Sequence, residues 1–550
     1  MTPGRRSCLV LFSLFLVAGT SGAAENRWVE HFLNRYKTRQ ASAPQARVQN
    51  APLSLTTGDV IRLLLENNRE IGVERLTPLS ELYTITSLTR LFEPAFYSNA
   101  NMDRVNNPSR NQLVGAVSLL QLTHNLQIGF DHLLETGTSY NVNIDFVRGS
   151  SNSAFNLLNP WYNGLITYSL TQHVLRDFGR RVNTSRIRIA RNNEKISELQ
   201  FELLIVDAVS EALALYWDLK FADEDVKVKQ RSLELAQRTL RDNQIQVDIG
   251  TLAPIDLVQA ETDVAERNEA LITARYNTEL LQNQLKTLIT PDIDAGAATG
   301  RLSLTEPVPE PNSRPFLSLE QSIQTALENR REMKVADYDL ENRVIDVEFM
   351  KNQKRPILDI TASYTQTGLG GRQTVPSGLD DGIVQVIPGG VGNVFGQLFG
   401  FSHIGYATGF NLRIPIRNHA ARADYDRAVN ERNISSLQKG ATAQRIALEV
   451  RNAYTRIQMS EARVAASRTT RELSARRLAA EQQKFDLGTS TVRFVLEEQR
   501  NLAQAETDEI QAHVNYTKAL IEYDRATGNT LRRNNVEIQT QLPAAVLFRR

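Results

Sequence analysis

Asp248-Ile249-Gly250-Thr251 recurs as Asp486-Leu487-Gly488-Thr489, and each copy leads into a helical pattern with a Gln/Glu/Ala-rich segment, Gln259 to Ala265 and Glu497 to Ala503. A second pair lies upstream: Leu65-Glu66-Asn67-Asn68-Arg69-Glu70-Ile71 returns as Leu327-Glu328-Asn329-Arg330-Arg331-Glu332-Met333. These close apolar-periodic runs, Val60, Ile61 and Leu64 in one and Ile323 and Ala326 in the other. One short match is weak evidence. Two in the same order at similar offsets mean that the chain is one pattern written twice: short helix, extended region, long helix, Asp-x-Gly-Thr turn, long helix. Residues 53–290 form the first repeat, with strands over about 94–172 and a helix-hairpin tip near 248–254. Residues 317–528 form the second, with strands over about 357–416 and a tip near 486–491. Between them, 291–316 carries five prolines from Pro291 to Pro315 and reads as a connector.

The helical halves are long. No proline occurs from Arg180 to Gln246, which predicts a helix of roughly 100 Å at 1.5 Å per residue. Leu233, Leu240 and Val247 fall seven apart, with Ala236 on the same stripe. After the turn, Pro254 suits a first helical position. Leu257, Val264, Leu271, Thr278 and Leu285 then repeat every seven residues, as do Ala274, Leu281 and Leu288. The second repeat does the same with Val495 and Leu502, and beside them Leu496, Ala503 and Ile510. Such heptads predict antiparallel coiled-coil packing. The seams are thin, and the opposite faces are crowded with charge (Lys227, Lys229, Arg231, Glu234, Arg238, Arg241). A solvated coiled coil would look like this, and so would a helix wall with water on both sides. Either needs partner helices, which favours an oligomer.

Two stretches change character. Residues 149–175 and 382–412 contain no Asp, Glu, Lys or Arg, and short alternating runs with aromatics lie in or beside them, as in Leu165-Ile166-Thr167-Tyr168-Ser169-Leu170. Period-two alternation suits a membrane-barrel strand with lipid on one face and water on the other; a soluble sandwich would alternate similarly. Residues 368–409 hold 12 of the 29 glycines without a phosphate-loop spacing, so a long flexible loop joining two strands at the cell surface is expected there. Residues 99–122 could play the matching part in the first repeat, but they contain an apolar run, Leu113 to Leu122, and could instead be an extra hairpin.

The first 24 residues read as an export signal: Arg5 and Arg6, an apolar run from Leu9 to Val17, then Gly22, Ala23 and Ala24. Residues 25–52 form an N-terminal segment and 529–550 a C-terminal tail. The only cysteine, Cys8, lies inside that signal, so the mature chain would have no disulfide or cysteine metal site. The 63 basic and 62 acidic residues nearly cancel, which argues against a nucleic-acid partner. After the signal no run of 18 apolar residues occurs, so an exported chain that enters a membrane must do so as a β-barrel.

Together, the ordered recurrence and the Gly-Thr turns at Gly250 and Gly488 resemble the TolC-type outer-membrane efflux family. So do the segments Leu170 to Arg180 and Leu412 to Arg422, at strand-to-helix junctions. The resemblance spans about residues 53–528. It implies a mixed α and β fold: a trimeric transmembrane β-barrel, four strands per protomer and twelve in all, continuous with a long periplasmic α-helical barrel built from the two repeats. The terminal segments and the connector would form a belt. The chain would then be a homotrimeric exit duct in the outer membrane, mostly periplasmic, touching outer-membrane lipid and passing substrates from an inner-membrane pump and a periplasmic adaptor to the exterior.

Carried over by position, the adaptor-contacting tips are Gly250, Thr251 and Leu252, and Gly488, Thr489 and Ser490. The glycines have a second reading, as positive-φ turn residues. The periplasmic gate maps to Phe494 and Glu497, matched in the first repeat by Asp256 and Gln259. Three copies of Glu497 or Asp256 around a narrow pore would favour cations. The resemblance implies acidic rings just inside the second tip; Phe494 departs from that pattern and suggests that a hydrophobic constriction replaces one charged ring. A lone carboxylate near a helix start also simply complements the helix dipole.

No enzymatic role is expected. There is no HExxH, GxSxG or dinucleotide fingerprint and no zinc cluster among the seven histidines, so no cofactor, metal or catalytic residue is assigned. With five methionines and no His/Met cluster, nothing indicates a metal pathway, and small-molecule efflux is preferred. The competing reading is an exported coiled-coil structural or adhesive protein without transport activity. It accounts for the heptads but not for the doubled order or the uncharged strands.

Overall fold

In a computed structural model, residues 53–109, 115–153, 156–250, 252–291, 300–311, 317–376 and 383–537 are described. The expected export signal, the N-terminal segment up to residue 52, and the tail from 538 lie outside the described residues, as do 292–299 and 312–316 of the connector.

The first repeat opens with strand β1 (Leu53–Leu55) and helices α1 (Thr57–Asn67), α2 (Arg69–Glu74) and α3 (Thr77–Thr89). The start of α1 is fixed by a capping box: the Thr56 hydroxyl accepts from the Asp59 amide, and Asp59 accepts from the Thr56 amide. Four strands follow, β2 (Ala95–Pro108), β3 (Ser118–Leu133), β4 (Thr138–Ser151) and β5 (Leu158–His173). A short turn, α4 (Arg180–Asn183), precedes α5 (Ser185–Asp248), which pairs with α6 (Pro254–Ile289). The long helix therefore begins at Ser185 rather than at Arg180, because the chain is still turning there: Gly179 has φ +97° and Thr184 is not helical.

After β6 (Leu302–Leu304) the second repeat runs α7 (Leu319–Asn329), α8 (Arg331–Gln353), β7 (Ile357–Pro376), β8 (Ile383–Ile387), α9 (Val391–Phe399), β9 (Ile404–Arg413), α10 (His419–Asp486), α11 (Val492–Ala526) and α12 (Thr530–Arg533). Ser318 caps α7 by the same reciprocal device that Thr56 uses in α1. No described helix is long and apolar enough to cross a membrane.

The two long hairpins pack side by side. One core joins α1, mid-α5 from Phe201 to Leu219, the end of α6, and the parallel pair β1–β6, which ties the start of the described chain to the connector; the buried Tyr216 hydroxyl donates to Leu55 O at 3.2 Å. The other lies along α7, α10 and α11 around Tyr516, Ala453 and Ile457. The first is rich in Leu, Ile and Val around Tyr216 and Trp217, and the second is a narrow seam mainly of Ala, Val, Ile and Tyr.

The sheet is wider than the four strands expected. It runs β2-β3-β4-β5-β7, with β8 and β9 on the far edge of β7, one pairing Gln373–Pro376 and the other Ile357–Gln366, so it is six strands wide. The added width is the hairpin β2–β3 in the first repeat, the extra hairpin that the apolar run within residues 99–122 allowed. Its register sorts two faces. One row across all six strands is Phe96, Phe130, Val142, Tyr168, Tyr364 and Tyr406; the adjacent row is Ala95, Asp131, Asn141, Ser169, Ser363 and Ala407. One face is apolar and aromatic, the other small and polar.

Candidate functional site at the hairpin tips

Each tip is built by a backbone conformation that a glycine permits. Gly488, at φ +73°, donates to Phe485 O at 2.9 Å, and Thr489 N donates to Lys484 O at 2.9 Å. These are the two bonds of a Schellman closure. Gly250, at φ +81°, donates to Val247 O at 3.0 Å, and Leu252 N reaches Gln246 O at 3.2 Å. Nothing lies within 4 Å of a Cβ at either glycine, so conformation rather than space selects the residue. Thr251 lies outside the described residues. At the second tip the Thr489 hydroxyl donates to Lys484 O (3.0 Å), while the Ser490 hydroxyl donates to Glu481, which also pairs with Lys484 (2.9 Å). The Ser490 hydroxyl first, and Lys484 after it, hold the Glu481 carboxyl below its ordinary range.

The four expected gate positions lie on the first turns beyond the tips. Gln259 and Glu497 are exposed, Phe494 is 52 % exposed and Asp256 is half-buried in the first turn of α6. Around them stand aliphatic side chains that the sequence reading did not single out: Ile249, Ile255 and Val258 at the first tip and Leu487 at the second, all exposed. Their exposure at the end of a solvated hairpin is the signal. It depends on knowing which heptad face the neighbouring helix covers.

Above the tips the structure brings together a polar cluster that was also missed. Asp263 and Arg267 are 3 % and 8 % exposed and pair at 2.6 Å on α6. Arg267 also donates to the Ser232 hydroxyl (2.8 Å) and carbonyl (3.1 Å) of α5 and reaches Leu496 O (3.4 Å) on α11. Arg500 of α11 closes on the other Asp263 oxygen (3.1 Å) and on Glu266 (3.2 Å), and Gln499 donates to Thr239 of α5 (3.3 Å). Three helices from both hairpins are thus clamped at one level. Two buried charges are tolerable only because each is met by the other and by further hydrogen bonds. The stripe Ala274, Leu281, Leu288 extended one heptad back lands on Arg267, and a charge on an alanine-leucine seam is the signal that could have found it.

This doubled architecture is that of known outer-membrane channels. The chain superposes on the CmeC channel of Campylobacter jejuni (TM-score 0.60, 16 % identity, 86 % of each chain) and on the open-state MtrE channel of Neisseria gonorrhoeae (TM-score 0.58, 16 % identity, 88 % of this chain and 91 % of that one). It also matches the VceC outer-membrane protein of Vibrio cholerae (TM-score 0.59, 12 % identity, 86 % and 96 %). Identities this low speak for fold alone. A family model for outer membrane efflux proteins matches residues 127–290 and 322–529, more than half of the chain. The chain belongs to the outer membrane efflux protein family, and the outer membrane is its location. No curated protein sequence matches it. The first family match begins inside β3, whereas the second begins inside α7, so β2 and the first half of β3 stand outside the family pattern.

Proposed function

We propose that this chain is a non-enzymatic exit duct: three copies close a barrel in the outer membrane and a helical tunnel in the periplasm, receiving substrates from an inner-membrane pump through an adaptor. The observation that carries this is the two-faced sheet with two open edges. Lipid suits the Phe96–Tyr406 row and water the Ala95–Ala407 row. Edges at β2 and β9 would leave backbone groups unmet in lipid, where each costs several kcal/mol. Closure by copies of the same chain removes both edges. A sheet six strands wide then gives eighteen strands for three copies, in place of twelve.

The tips are the adaptor-facing end in this reading, with Ile249 and Leu487 beside Gly250, Leu252, Gly488, Thr489 and Ser490 as apolar contacts for a helical hairpin. The clamp at Asp263, Arg267 and Arg500 holds the hairpins together above them, and Phe494 and Glu497 narrow the entrance. Closure is tested with cysteines at Ala100 on β2 and Thr408 on β9, joined by a short bismaleimide in a Cys8→Ser background. A ladder that stops at three chains is expected; no ladder from a folded, inserted protein, or one that runs past three, contradicts it.

A further inference from the structure

We infer that α9 is a membrane-embedded element lying against the outside of the barrel, with its outer face in the acyl chains of the outer leaflet. The inference rests on the barrel reading above and replaces the flexible cell-surface loop expected for residues 368–409.

Which side of the sheet α9 covers decides the matter. Val394 and Leu398, 0 % and 2 % exposed, pack on Ile166 with Phe146 and Tyr162 beside them. The register puts Phe146 in a row with Gly164 and Gly368, and Tyr162 in a row with Gly370, and all of these belong to the apolar face. The helix therefore sits on the lipid side, not in the lumen. Its seat is made by missing side chains. A Cβ on Gly164 would meet Val394 Cγ1 at 2.7 Å, one on Gly368 would meet Val394 O at 2.6 Å, and one on Gly370 would meet Gly390 O at 2.5 Å.

Two further observations point to a surrounding without water. Between the segments of β7 paired with β9 and β8, the strand edge is open, and α9 satisfies it: the Gln397 side chain donates to Leu369 O and accepts from Leu369 N, both at 2.9 Å. Just below, Thr367 N donates to His403 O at 3.0 Å. A strand edge in water needs no such cover, whereas one in hydrocarbon does. The outward side of α9 is aromatic: Phe395 stacks between Phe146 and Phe399 at 5.9 and 6.2 Å, and Phe399 stays 69 % exposed. The whole stretch 382–412 carries no charged side chain, unlike a solvated loop. The next row outward, Arg148 and Tyr162, with Arg148 reaching His124 at 3.3 Å, supplies polar groups at headgroup level.

Power-saturation EPR of spin labels in proteoliposomes tests this. Labels go at Phe399→Cys and, independently, Phe395→Cys, in a Cys8→Ser background. Leu126→Cys on the apolar face and Val117→Cys, an exposed position just before β3, serve as references. The expected result is oxygen access and loss of nickel-chelate access at both α9 sites, matching position 126 and opposite to 117. Nickel access at the α9 sites with position 126 still oxygen-rich overturns the inference and leaves the barrel reading standing. Nickel access at 126 as well removes the barrel reading, and the inference falls with it.

Discussion

Arg267 is the residue whose environment says most about the tip end of the helical region. It is charged, 8 % exposed, and held by Asp263, Ser232 and Leu496 from three helices. Asp263→Ala leaves Arg267 buried without its counter-charge, which costs about 3–5 kcal/mol. Hydrogen exchange should then accelerate along 254–270 and 492–505 while the mid-α5 core stays protected. Unchanged protection at both tips would show that the cluster clamps nothing. The tip glycines are a milder case. Gly488→Ala forces an L side chain to φ +73° and costs about 1–2 kcal/mol, whereas Gly488→Asn costs less, by the same hydrogen-exchange readout at the tip. At mid-height on the helices, the Thr56 side chain is the main cause of the lowered carboxyl value of Asp59. Its folded value lies below the ordinary 3.8, so the stability it contributes is present above that value and is lost as pH falls through the lower folded one. Thr56→Ala should flatten this acid limb in denaturation measured between about pH 5 and 2. Glycine spacing made the turns legible in the sequence. The clamp showed locally only as a charge, Arg267, on an alanine–leucine seam; its partner Arg500 on α11 has no local signature.

At the scale of elements, the strand pair β3–β4 carries the sharpest expectation. Ile128 and Ile144 face each other on the apolar side, while Asn125 lies on the other. A lysine at Ile144, near the middle of a lipid-facing strand, costs about 2–4 kcal/mol, and one at Asn125 close to none. Heat-modified mobility of the membrane-inserted protein separates the two; equal loss from both would remove the assignment of faces. The long helices could be read from heptads and the absence of proline, since both are local patterns. The strand β2 could not, because it alternates Ser98, Ala100 and Met102 with Asn99, Asn101 and Asp103 and so shows little contrast. The helix α9 was hidden for another reason. Its seat is written as glycines at Gly164, Gly368 and Gly370, and a glycine kept for close approach looks in sequence like one kept for flexibility.

At the scale of the molecule, the repeat made the architecture legible, and the inserted hairpin set its width. Two copies of a helix–sheet–helix unit stand with their tips at one end and the sheet at the other, joined at mid-height by β1 and β6. Barrel diameter grows roughly in proportion to strand number, so the eighteen strands of the proposed trimer would make an exit wider than twelve. The narrow point is then left to the helix tips. The most direct test of the duct is single-channel conductance of the purified protein in a planar bilayer, with Arg500→Ala, Phe494→Ala and Glu497→Ala beside the wild type. A small wild-type conductance that rises when the clamp or the entrance is opened is the result predicted for a duct gated at its periplasmic end. Silence from all four proteins, with insertion and folding verified, would contradict it.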